Sequence, residues 1–127
     1  MLGRAMLTVA GLLLVGTAAY HALGGPMVAG WLSGERGLVL ELLWHAAGLA
    51  WGVVGAGWLL IAWRGDGRAL PLVWLLALIP AGSAAMIAYA LGPTFLGFWL
   101  LAVATVLALL GSIALPKVSA GPAAPSP

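Results

Sequence analysis

The chain contains no cysteine, and 6% of its residues carry charge, three acidic and five basic. The first absence excludes disulfides, thiolate metal sites and cysteine nucleophiles. The second excludes an ordinary water-soluble domain, in which about a quarter of the residues are charged. With two histidines, no run of basic residues and no basic amphipathic helix, the net charge of +2 gives no surface for nucleic acid. Walker loops, nucleophile elbows and dinucleotide fingerprints are also missing.

What remains is apolar. Hydrophobic residues make up 64% of the 127 positions, and the mean hydropathy is +1.15. A chain this short has too much surface to hide so much apolar area from water. Its solvent is lipid.

A membrane-spanning helix needs roughly 20 apolar residues to cross a ~30 Å hydrocarbon layer. Four stretches qualify, at about 5–23, 38–63, 69–91 and 94–115. Gly24-Gly25-Pro26 closes the first and Ser33-Gly34-Glu35-Arg36-Gly37 precedes the second. Arg64-Gly65-Asp66-Gly67-Arg68 leaves room only for an antiparallel turn, as does Gly92-Pro93. Met27–Trp31 is too short to span and predicts an interfacial or re-entrant turn with Trp31 at headgroup level. Pro116 ends the last span, and the Pro-, Ala- and Ser-rich segment 117–127 reads as a disordered tail.

The expected fold is therefore all-α, an integral membrane four-helix bundle occupying 1–116. Cations in short loops orient it. Arg4, Arg64, Arg68 and Lys117 fall on one side and Arg36, next to Glu35, on the other. The positive-inside rule then places both termini in the cytoplasm. The bias towards Ala, Gly and Leu is that of a GC-rich bacterial gene, so the expected membrane is a bacterial inner membrane. A rival reading takes Met1–Ala19 as a signal peptide with small residues near a cleavage site. The apolar run continues to Leu23, which favours a retained span.

The second span carries the informative pattern. Glu41, His45, Gly48, Gly52 and Gly55 follow spacings of four, three, four and three, one stripe of a helix. Small residues at such spacing let helix backbones approach in lipid, so Gly48, Gly52 and Gly55 are expected at a helix contact. The same stripe would carry Glu41 and His45 into the bundle interior. Trp44, Trp51 and Trp58 form a second stripe at seven-residue intervals, expected as a packing ridge or lipid-facing belt, or else a stacking surface for a flat cofactor.

With the spans antiparallel, Tyr20, His21, Glu41, His45, Tyr89 and Thr94 gather in the outer half of the bundle. Ionisable groups inside a membrane are costly unless paired, and they are default candidates for function. Tyr20, His21, Glu41, His45 and Tyr89 are thus the expected ligand-binding set. Three readings stay open. In the first, Glu41 and His45 satisfy one another at i, i+4 and pin the packing of an accessory membrane component without enzymatic activity. In the second, His21, Glu41 and His45 hold a metal, a haem or a quinone in a redox component. The third is a small transporter, necessarily oligomeric because four short helices enclose little space. Lipid, copies of the chain or subunits of a larger membrane complex are the expected partners. Pro80-Ala81-Gly82-Ser83 predicts a kink halfway along the third span.

A first span ending before Gly25-Pro26, then a second opening with Glu41-Leu42-Leu43 and continuing through Gly48 and Gly55, resembles the DoxX-like group of small four-helix bacterial membrane proteins. The likeness covers about half the chain. It implies the four-helix architecture and no settled chemistry, and His45 and the tryptophan stripe depart from it.

Overall fold

A computed structural model describes residues 1–65 and 67–115. The tail expected at 117–127 lies outside them. All regular structure among the described residues is helical: α1 (Leu2–Leu23), α2 (Gly25–Ala29), α3 (Glu35–Arg64), a 3₁₀ turn at Gly67–Ala69, α4 (Leu70–Leu91) and α5 (Leu96–Ile113). α1, α3, α4 and α5 are each long and apolar enough to cross a membrane. The described residues thus form a helical bundle with four candidate membrane-spanning helices.

Local chemistry sets the element boundaries. Gly34, at φ 62°, releases the chain into α3, whose first residue, Glu35, complements the positive end of the helix. Gly65 closes α3 in the left-handed region, φ 65°, with its N–H donating to the Ile61 carbonyl. Pro71 occupies the first turn of α4, where a missing N–H costs nothing. α4 runs unbroken through the buried Pro80.

Several bounds differ from expectation. α1 begins at Leu2, so Arg4 lies inside the helix, and α5 begins at Leu96, leaving Thr94 in the turn before it. The segment expected as an interfacial turn forms the short helix α2. Gly25 of α2 faces the His45 ring, and the carbonyls of Ala29 and Leu32 come to Gly37, so α2 runs beside the first turns of α3.

α1 packs against both α3 and α5, while α4 packs mainly on α5 and touches α3 more sparsely. Every neighbouring pair is antiparallel. Two glycine crossings bring α1 close to its neighbours. A Cβ on Gly11 would lie 2.8 Å from the Gly55 carbonyl oxygen, and one on Gly55 2.9 Å from that of Gly11. At the other end a Cβ on Gly3 would stand 2.6 Å from the Gly111 oxygen, and one on Gly111 2.9 Å from that of Gly3. In lipid, where no hydrophobic drive pushes helices together, such close approach is a main source of packing energy.

Between the helices the core is filled by Leu7, Leu14, Val54, Trp58, Val73 and Leu101, all essentially inaccessible. Hydroxyls within it return to their own helix: Thr17 donates to Leu13 O, Thr105 to Leu101 O and Ser112 to Leu109 O. That pattern satisfies a polar group where no water is at hand. The buried Trp58 indole N–H has no partner among the described residues.

Of the two packing readings of the tryptophan stripe, ridge or lipid-facing belt, Trp51 and Trp58 follow the first, while Trp44 is partly covered. Trp51 is 5% exposed and Trp58 0%. Their rings fill space between helices that leucines elsewhere would leave open. The glycines beside them admit the neighbouring backbone, so bulk on one stripe and its absence on the next together shape the α1–α3 contact.

Candidate functional site

The His21 cluster is built on the last turn of α1 and the third to fifth turns of α3, which carry Trp44, Gly48 and Trp51. His21 projects from α1 across Gly48, where a Cβ would come within 3.2 Å of its ring carbon. Gly48 therefore makes the room in which the imidazole lies. The ring stacks on Trp44, centroids 3.8 Å apart and planes 12° from parallel, and its other side meets Trp51 at 4.6 Å and 58°. Trp31, from the turn after α2, closes edge-on against Trp44 at 6.5 Å.

Hydrogen bonds run both ways through the stack. The Trp44 indole N–H donates to the His21 carbonyl oxygen at 2.6 Å. His21 Nε2 lies 3.1 Å from the Trp44 carbonyl oxygen. A carbonyl can only accept, so this contact selects the tautomer with the proton on Nε2. Each residue thus binds the other's backbone while their rings lie face to face. The His21 carbonyl, near the end of α1, also accepts from the Gly24 N–H at 3.0 Å, and the Trp44 carbonyl lies within the continuous helix α3, so each side chain adds a second bond to a carbonyl.

Glu41 and His45 lie elsewhere than expected. They stand on a flank of α3 covered only in part, with His45 43% and Glu41 30% exposed along their side chains. His45 Nε2 approaches Glu41 Oε1 to 3.7 Å, a contact of opposite partners but longer than a hydrogen bond. The His45 ring rests on Gly25, where any Cβ would collide with it. The interior position predicted from the Gly stripe fails because α2 and not another long helix lies against this part of α3.

His21, Glu41 and His45 therefore do not converge. Among the described residues no three side chains of the His, Cys, Asp and Glu types come together as a metal site. His21 Nε2 is directed at a carbonyl and His45 at a different helix, so the paired axial geometry a haem would need is not formed either. Tyr20, Tyr89 and Thr94 are exposed and do not join the cluster. Of the expected ligand-binding set, only His21 belongs to the enclosed site.

Of the three expected packing glycines, Gly55 and Gly48 sit under close contacts, with α1 backbone and the His21 ring respectively. Gly52 does not, since a Cβ there would meet only Ala18 Cβ at an ordinary 3.7 Å. Trp51 serves a second contact, donating through its indole N–H to Ser83 Oγ at 3.0 Å and so tying α3 to α4 just beyond Pro80. The opposite end of the bundle holds one further polar join: Arg4 donates through Nε to Ala62 O at 2.9 Å and through an η nitrogen to Trp63 O at 2.7 Å.

Sequence reasoning missed the partners of His21. The seven-residue spacing of Trp44 and Trp51 placed them on one face of α3, but nothing local joined that face to residue 21.

Two surface grooves lie away from this cluster. One, of about 430 Å³, is lined by Leu32, Glu35, Arg36, Val39, Leu40 and Leu43. The other, of about 220 Å³, is lined by Trp99, Ala102, Val103, Val106 and Leu107. Neither reaches His21. No protein-family model, curated protein or solved structure matches this chain.

Proposed function

We propose that the chain is a non-enzymatic component of a bacterial inner membrane, with both termini cytoplasmic, acting as an accessory subunit or as a self-associating scaffold. The observation that carries this reading is the use made of the outer cluster. His21 Nε2 and the Trp44 indole bind backbone carbonyls, the Trp51 indole binds Ser83, and the rings pack on one another, so these donors already serve in joining α1, α3 and α4. A filled core of leucine, valine and tryptophan favours a scaffold over a transporter, which needs a path between its helices.

Orientation rests on the cations. Arg4 and Arg64 share one end of the bundle, since Arg4 bonds the last turn of α3, and Arg36 marks the other. The end richer in arginine is the cytoplasmic one.

The test has two parts. Reporter fusions within Arg64–Arg68 should report cytoplasm, and one within Ser33–Gly37 the exterior; the reverse would overturn the orientation. Protein purified from its membrane should show no absorbance above the tryptophan band and no stoichiometric metal. A chromophore or metal lost on His21→Ala but kept on a surface change would replace the scaffold reading with the redox one.

A further inference from the structure

The outer end of α3 carries a groove that the His21 cluster does not use. Residues four apart on a helix stack into ridges. Here Glu35, Val39 and Leu43 make one ridge, and Arg36 and Leu40, continued by Leu32 from the preceding turn, make the next. The furrow between them is lined by apolar side chains, with Glu35 at the head of one ridge and Arg36 on the next. Glu35 and Arg36 are both exposed, and neither takes part in an ion pair among the described residues.

Depth gives this pair its meaning. Arg36 and Arg64 stand 28 residues apart on one continuous helix, about 42 Å at 1.5 Å per residue. A bilayer measures about 40–45 Å from headgroup layer to headgroup layer. With Arg64 at one headgroup layer, Arg36 and Glu35 reach the other. Val39 and Leu43, about 4 and 10 Å deeper along the helix, lie where glycerol and the upper acyl chain begin.

We propose that this groove holds one phospholipid with a primary amine in its headgroup, the zwitterionic ethanolamine class. Its phosphate takes the Arg36 guanidinium, whose planar fork matches phosphate oxygens. Its ammonium takes the Glu35 carboxylate, and one acyl chain follows Val39, Leu40 and Leu43. The rim discriminates by charge. A glycerol headgroup brings the phosphate but no cation, leaving Glu35 to repel it, and a choline headgroup has no N–H to donate. The site depends on the chain spanning the bilayer as proposed above. Failure of that premise is separately visible, because the protein would then leave the membrane on alkaline washing.

The full-length protein is reconstituted in vesicles of equal parts phosphatidylethanolamine, phosphatidylglycerol and phosphatidylcholine, extracted in mild detergent, and weighed with its retained lipid by native mass spectrometry. One phosphatidylethanolamine should be retained roughly threefold over each competitor, the size of a partly exposed charge pair. Glu35→Gln should abolish the preference over phosphatidylglycerol, Arg36→Gln should lower retention of all three, and Val39→Trp should fill the groove and release the bound lipid. Circular dichroism verifies that each variant is folded, and Leu43→Trp blocks the same groove should Val39→Trp fail to fold. Equal retention of the three lipids by the unaltered protein, or a preference that survives Glu35→Gln, overturns the assignment.

Discussion

His21 and Trp44 each bind the other's backbone: the indole N–H reaches the His21 carbonyl at 2.6 Å, and His21 Nε2 lies 3.1 Å from the Trp44 carbonyl. Their rings stack between those two bonds. A reciprocal arrangement of this kind is lost as a unit. Removing either side chain takes away one inter-helix hydrogen bond and uncovers the face of the other ring, although His21 O keeps its bond from the Gly24 N–H and Trp44 O stays within the α3 helix.

His21→Ala and Trp44→Ala should each lower stability by about 1–3 kcal/mol, the cost of a lost ring contact and a lost inter-helix hydrogen bond. Together they should cost clearly less than the sum, with a coupling of about 1–2 kcal/mol. His21→Phe should recover the stack but not the hydrogen bond. Reversible unfolding in mixed micelles measures all four variants, and additive losses would show that the two bonds act independently.

A second prediction separates Trp51 from Trp58, two tryptophans seven residues, about two helical turns, apart on α3. Trp51 donates to Ser83 and Trp58 has no partner among the described residues. Replacement by Phe removes similar volume at each site, yet Trp51→Phe discards a hydrogen bond and Trp58→Phe relieves an unpaired donor. Trp51→Phe should be the more destabilising by about 1–2 kcal/mol. Equal losses would mean that volume alone governs both.

The glycine prediction contrasts positions on one helix face. Gly55→Ala should cost about 1–3 kcal/mol because its methyl would press on α1 backbone, which cannot step aside. Gly52→Ala should be neutral or slightly stabilising, since the space exists and alanine is the better helix former. Thermal unfolding in detergent distinguishes them, and a neutral Gly55→Ala would place the α1–α3 crossing elsewhere.

These contrasts bear on how much of the molecule its sequence discloses. Four spans and their turns are legible because lipid demands long apolar runs and tight polar loops. Which stripe of a span faces protein is not, because lipid and core are equally apolar and the usual alternation of oily and polar faces is absent. So the tryptophans read as packing ridge or belt and the stripe alone does not choose between them, and Glu41 and His45 read as interior and lie on a partly covered flank beside α2. His21 was legible as a candidate because an ionisable side chain at the end of an apolar span needs a partner. Its partners were not, because Trp44 lies 23 residues away and is joined to it only by the bundle.

Arg4 illustrates the same limit in a different way. Its charge reads as a topology signal, yet its guanidinium also covers the Ala62 and Trp63 carbonyls that α3 leaves unpaired at its C-terminus. Arg4→Gln should lower stability by about 1–2 kcal/mol without changing orientation, because Arg64, Arg68 and Lys117 remain. Arg4→Lys should recover part of the loss. Stability in micelles paired with the same reporter fusions checks both halves, and an unchanged stability would reduce Arg4 to its charge.

The Arg4 join and the His21–Trp44 join lie 17 residues apart on α1, about 26 Å along the axis, and bind opposite halves of α3. Neither can close early. When Leu23 leaves the ribosome, about forty residues separate it from Trp63, several seconds of synthesis at ordinary rates. The His21–Trp44 join can close once Trp44 emerges and the Arg4 join only once Trp63 does, while the Gly3–Gly111 crossing waits for α5. The helix made first is thus secured from one end to the other over the rest of synthesis, and the newborn chain is most exposed to quality control, or to capture by another helix, during that wait.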